Sequence, residues 1–75
     1  MLFEKVKRVI ATQLGIGEEE IKENTTFLDL GIDSLEIFEI IMALEDEFNI
    51  EIPNEDVENI KNIEDIIKYI QSKIE

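Results

Sequence analysis

The 75-residue chain contains no cysteine and no histidine. Without cysteine there is no disulfide staple, no thiolate zinc site and no thiol nucleophile. Without histidine the commonest general base at neutral pH is missing. Basic residues are scarce too: seven Lys and Arg stand against nineteen Asp and Glu, for a net charge of −12. That sign disfavours nucleic acid and anionic membranes as partners, and favours basic proteins or cations. The longest apolar runs are a few residues, so no segment is expected to span a membrane. The N-terminus lacks the long apolar stretch of a signal peptide, which makes the cytoplasm the expected compartment.

What is present suits one small folded domain over residues 1–75. The apolar fraction of 44% is enough for a core and too much for a disordered acidic tail. A chain this short buries only roughly 60% of the surface it exposes when unfolded, so the core is thin. The charge is unevenly spread. Residues 23–60 hold twelve acids and no Lys or Arg, while the flanks hold seven acids and all seven bases. The whole excess therefore sits in the centre. A solvated face is the ordinary meaning of such a run; the helix at its middle argues for more.

Hydrophobic spacing predicts an all-α fold, a small up-down bundle of three main helices plus one short helix. Leu2, Phe3, Val6, Val9, Ile10 and Leu14 recur at helical spacing and Gly15 follows them as a left-handed cap, giving a helix over residues 2–14. Residues 15–33 read as a long connection, and connections of that length tend to be functional. Ile16, Ile21, Phe27, Leu28, Leu30 and Ile32 are expected to pin it to the core, and a turn of helix fits residues 18–21. A second helix covers residues 34–48, with Asp33 and Glu36 spaced as a capping box. Residues 50–52 alternate like a strand but have no partner segment, so they read as an extended link. Pro53 and Asn54 open a short helix over residues 55–59. Asn62 caps a last helix whose stripe is Ile63, Ile66, Ile67, Ile70 and Ile74, with Tyr69 at its margin.

The second helix carries two apolar stripes where a surface helix of a bundle needs one. Ile37, Ile40, Ile41, Leu44 and Phe48 make the core stripe. Leu35, Phe38 and Met42, at i, i+3 and i+7, make another, bordered by Glu39, Glu45 and Asp46. It either packs under the long connection or forms a partner surface ringed by acids. Ser34 stands at its N-terminal end. Ser34 is no hydrolytic nucleophile: the chain has no His to take its proton, and Gly31-Ile32-Asp33-Ser34-Leu35 is not a Gly-x-Ser-x-Gly elbow. It could cap the helix, but Asp33 caps equally well. What remains is Ser34 as the acceptor of a covalent group, where a phosphodiester would meet the positive end of the helix dipole. Asp29 and Asp33 do not make a calcium loop, because Leu30 and Ile32 supply no side-chain oxygen and Gly31 is misplaced for one. No dedicated metal site is expected.

Asp29-Leu30-Gly31-Ile32-Asp33-Ser34-Leu35, then Met42-Ala43-Leu44-Glu45-Asp46-Glu47-Phe48 and Ile52-Pro53, resembles the acyl carrier proteins over essentially the whole chain. The resemblance implies a carrier and not an enzyme. Ser34 matches the serine that receives 4′-phosphopantetheine from coenzyme A through a Mg²⁺-dependent phosphopantetheinyl transferase. The thiol of that arm would hold acyl groups as thioesters, so the sulfur would belong to the cofactor. Asp33 matches the residue that helps position Mg²⁺ during transfer. Leu35, Glu36, Phe38, Glu39, Met42, Glu45 and Asp46 match the helix read by basic partners, the acyl-transfer and fatty-acid synthesis enzymes. Ile37, Ile41, Leu44, Phe48, Ile60 and Ile66 are the implied lining of an acyl pocket. A monomer is expected.

Departures from the family pattern bear on pathway and chain length. Ile32 stands where a small residue is usual, Phe38 is bulkier than the usual Val-like residue, and Ile37 replaces a residue that is often small or polar. The loop before Leu30 is about one residue short of the commonest pattern. The alternatives are a carrier dedicated to a specialised pathway (polyketide, aminoacyl or modified lipid), an acidic interaction module without the arm, and a cation buffer.

Overall fold

The computed structural model describes residues 2–74. Three long helices dominate it: α1 (Leu2–Leu14), α3 (Ser34–Phe48) and α5 (Ile63–Ile74). Between them lie a 3₁₀ turn at Glu18–Glu20, the short α2 (Phe27–Leu30) and the short α4 (Asn54–Val57). The all-α bundle is as expected, with α2 added. Its signal lay in the sequence: Thr26 and Asp29 form a capping box, and Gly31 closes the turn at φ +66°. Gly15 takes the left-handed cap predicted for it, at φ +70°. Asn62 caps α5 by accepting the Asp65 N–H at 2.8 Å.

α1 packs against both α3 and α5. Its Val6 and Ile10 meet Ile40, Ile41 and Leu44 of α3 and Ile63, Ile66 and Ile70 of α5 in one cluster. Each such side chain contributes about 1.5–3 kcal/mol by leaving water. The cluster contains no polar side chain, and no side-chain polar atom among the described residues is buried without a partner.

The long connection is tied down by Ile21 and Phe27, both buried. It is also stapled to the entry of α5 by backbone bonds. Phe27 N–H donates to Lys61 O at 3.2 Å, Ile63 N–H to Thr25 O at 3.0 Å and Glu64 N–H to Glu23 O at 2.9 Å. Leu28 departs from expectation. It is 89% exposed, because one turn of α2 can turn only one of Phe27 and Leu28 inward. Leu30, Ile32 and Ile16 are half-buried.

Residues 50–52 form no helix or strand, in keeping with the expected link, and Ile52 is buried. α4 starts one residue earlier than predicted, and tight turns carry it on to Ile60, with Asn59 N–H bonded to Asp56 O and Ile60 N–H to Val57 O.

Candidate functional site

The site is built where the long connection enters α3. Gly31 and Ile32 lead the chain out of α2 and into an extended Asp33. Asp33 Oδ1 accepts the Glu36 N–H at 3.0 Å, and Glu36 Oε1 accepts the Asp33 N–H at 3.4 Å. This box satisfies backbone donors that the first turn of a helix leaves open. It also relieves Ser34 of the capping role. Ser34 is the first residue of α3, it is exposed, and its hydroxyl forms no hydrogen bond with the described residues. The Asp29 carboxylate is engaged as well, accepting from Thr26 N–H at 3.2 Å. A free hydroxyl therefore stands at the positive end of a fifteen-residue helix, in a chain without histidine.

A cleft of about 240 Å³ opens directly beside Ser34. Ser34, Ile37 and Phe38 of α3 line one side, Asn54, Val57, Glu58 and Ile60 the other, with Phe27 between them. Of the residues expected to line an acyl pocket, Ile37 and Ile60 border this cleft. Ile41, Leu44 and Ile66 do not: they are 3%, 0% and 1% exposed and belong to the packed core. Phe48 is also absent from the cleft, since it sits at the far end of α3 under Lys5, whose Nζ is 5.9 Å from the ring centre. The core stripe of a helix faces its neighbours along its whole length, and periodicity does not say which part of it borders a void. Phe27 and Val57 also border it, and no pattern in the sequence places them at a cleft.

The second stripe of α3 is open to solvent. Leu35 is 66%, Phe38 43% and Met42 59% exposed, so the stripe does not pack under the long connection. Glu39 and Asp46 beside it are exposed, and Glu36 is half-buried. Glu45 differs from its neighbours. One of its carboxylate oxygens accepts the Ile52 N–H at 2.7 Å, which fastens the link after α3 to the helix itself. Glu45 therefore also serves the fold. Leu28 adds a further exposed apolar side chain on the segment leading to Ser34.

An unengaged serine hydroxyl thus stands at a helix start, beside a largely apolar cleft and an acid-rimmed apolar stripe. Residues 4–70 match the family described as the phosphopantetheine attachment site. The chain is 53% identical to the acyl carrier protein of Clostridium acetobutylicum over 76 aligned residues, covering 100% of this chain and 99% of that one. It is 46% identical to the acyl carrier protein of Wolinella succinogenes over 72 residues, covering 95% of each. The chain belongs to the acyl carrier, phosphopantetheine-binding family, and its covalent cofactor is 4′-phosphopantetheine. The described residues fit that group, offering an unengaged hydroxyl, helix N–H groups for its phosphodiester and an apolar cleft for what it bears.

Proposed function

We propose that Ser34 Oγ is the attachment atom and that the protein shuttles acyl groups among the enzymes of fatty-acid synthesis, without catalysing a reaction itself. The observation that carries this reading is the division of labour at the start of α3. Asp33 caps the helix and leaves the Ser34 hydroxyl free. When bound, 4′-phosphopantetheine supplies the thiol that this cysteine-free chain lacks.

The chain's own residues orient and shelter. The first turn of α3 presents Ser34, and the box between Asp33 and Glu36 fixes its direction. Ile37, Val57 and Ile60 offer apolar walls to the acyl chain. Leu35, Phe38 and Met42, with Glu36, Glu39 and Asp46, form the face for basic partner enzymes, and Glu45 adds its charge from the edge. On this reading the protein works as a monomer in the cytoplasm, alongside coenzyme A and the enzymes it serves.

The test is incubation with coenzyme A, Mg²⁺ and a promiscuous phosphopantetheinyl transferase, followed by intact mass. The wild type gains about 340 Da, the mass of the arm, and Ser34→Ala gains nothing. An equal gain in Ser34→Ala would move the attachment elsewhere. A carrier of a specialised pathway is the second reading, favoured by the Phe38 ring on the cleft wall. Loading by a malonyl transferase against loading by adenylating ligases separates the two.

A further inference from the structure

The cleft beside Ser34 has one firm wall and one lightly held wall. Behind the α3 wall lie Ile40, Ile41 and Leu44, all buried in a close-packed core that resists displacement. The opposite wall is α4, a single turn whose backbone approaches the other helices at few points. Its apolar anchors are the half-buried Val57 and the buried Ile60. The link before it is fastened by the Glu45 bond to Ile52 N–H. The Tyr69 hydroxyl of α5 then donates to Asp56 Oδ2 of α4 at 2.6 Å. Among the described residues this is the one side-chain hydrogen bond from α4 to another element. A phenol donating to a carboxylate at such a distance belongs to the stronger, charge-assisted class. Burial, this bond and the charges of Asp56 and Glu45 push the Tyr69 pKa up to about 12, so the hydroxyl keeps its proton at neutral pH.

The geometry points to the Asp56–Tyr69 hydrogen bond as a latch that ties α4 to α5 and so limits the length of acyl chain the cleft can take. The chain-length part of this inference rests on the carrier function proposed above. A chain too long for the cleft needs more apolar wall than Ile37, Val57 and Ile60 provide. The α3 side cannot yield without opening the core, so α4 must move, and the latch opposes that movement. Tyr69 and Asp56 act through the placing of α4 and are positioning residues.

Two measurements test it. The first is amide hydrogen exchange on the unmodified protein. Tyr69→Phe keeps the ring and removes the donor. Exchange at Val57, Asn59 and Ile60, whose N–H groups bond to Pro53, Asp56 and Val57 carbonyls, should rise about tenfold, with Ile40 and Leu44 of α3 unchanged. Asp56→Asn keeps an acceptor oxygen and should perturb α4 less than Asp56→Ala. The second compares four-carbon and twelve-carbon thioesters on the arm for cleavage by hydroxylamine. Tyr69→Phe should protect the longer chain several-fold better, relative to the shorter, than the wild type does. Uniform acceleration of exchange across all helices, or none at α4, overturns the latch. An unchanged chain-length ratio overturns its role in selection. If the wild type takes no arm, the carrier reading falls together with that role, and the exchange result still decides whether the bond holds α4.

Discussion

Asp33 and Ser34 divide two roles that a single serine could have combined. Asp33 spends its carboxylate on the Glu36 N–H, and the Ser34 hydroxyl is left unengaged. Glu45 shows the opposite economy, since it stands at the edge of the exposed apolar stripe while one oxygen fastens the link at Ile52. Tyr69 is the single tyrosine of the chain, which makes its titration directly readable by absorbance. Burial is the main cause of its raised pKa of about 12, with the Asp56 bond and the Asp56 and Glu45 charges acting in the same direction. The folded state therefore holds this proton more tightly than the unfolded chain, whose tyrosine titrates at its ordinary value of 10.0. The resulting stabilisation is complete below pH 10 and is lost as pH rises from there through about 12. Absorbance titration should place the tyrosinate transition well above 10, and Asp56→Ala should bring it down. Over the same interval the wild type should lose more thermal stability than Tyr69→Phe.

At the scale of the element, α3 is the informative piece because both of its apolar faces were visible as periodicity. Which face would be covered was not visible. A stripe at i, i+3 and i+7 reads the same whether a loop lies over it or water does. The connection from Gly15 to Asp33 settled the question by turning Ile21 and Phe27 inward while leaving Leu35, Phe38 and Met42 bare. The same indifference explains Leu28, since two adjacent apolar residues on one short turn cannot both face the core. Exposed residues contribute little to folding, so the double variant Leu35→Ala/Met42→Ala should melt close to wild type, within about 0.5 kcal/mol per site. If the stripe is the docking face, the same variant should take the arm at least about tenfold more slowly, the ordinary loss for an interface anchor. Unchanged modification kinetics would remove the stripe from the transferase interface. Pro53 and Asn54 announce α4 to within two residues at each end, but its place as a cleft wall depends on Val57 and Ile60 meeting α3 across the chain.

At the scale of the molecule, the charge excess remains uncompensated after folding. Of the twelve acids in residues 23–60, only Glu47 lies within ion-pair distance of a described base, at 4.0 Å from Lys5. The other two ion pairs, Lys7–Glu4 and Lys68–Glu64, fall in the flanks. All three are partly exposed and of small energetic weight. The central acids therefore repel one another across a thin core. The melting temperature should rise from low to moderate ionic strength, and further with Mg²⁺, because both screen that repulsion. A melting temperature indifferent to salt would show that the acids are spaced too widely to matter. No helix among the described residues is long and apolar enough to cross a membrane.

Local chemistry was enough to determine the ends of α1 and α3, the box between Asp33 and Glu36, the left-handed Gly15, the place of Ser34 and the concentration of charge around it. Each depends on neighbours within about one turn of chain, where residue type dictates conformation. The tertiary structure alone decided which apolar residues face a void. Ile37 and Ile60 border the cleft while Ile41, Leu44 and Ile66 fill the core. It alone brought Asp56 to Tyr69 and Glu45 to Ile52. Those contacts join segments separated in the chain, and their geometry follows from how α1, α3 and α5 pack, which no local pattern encodes.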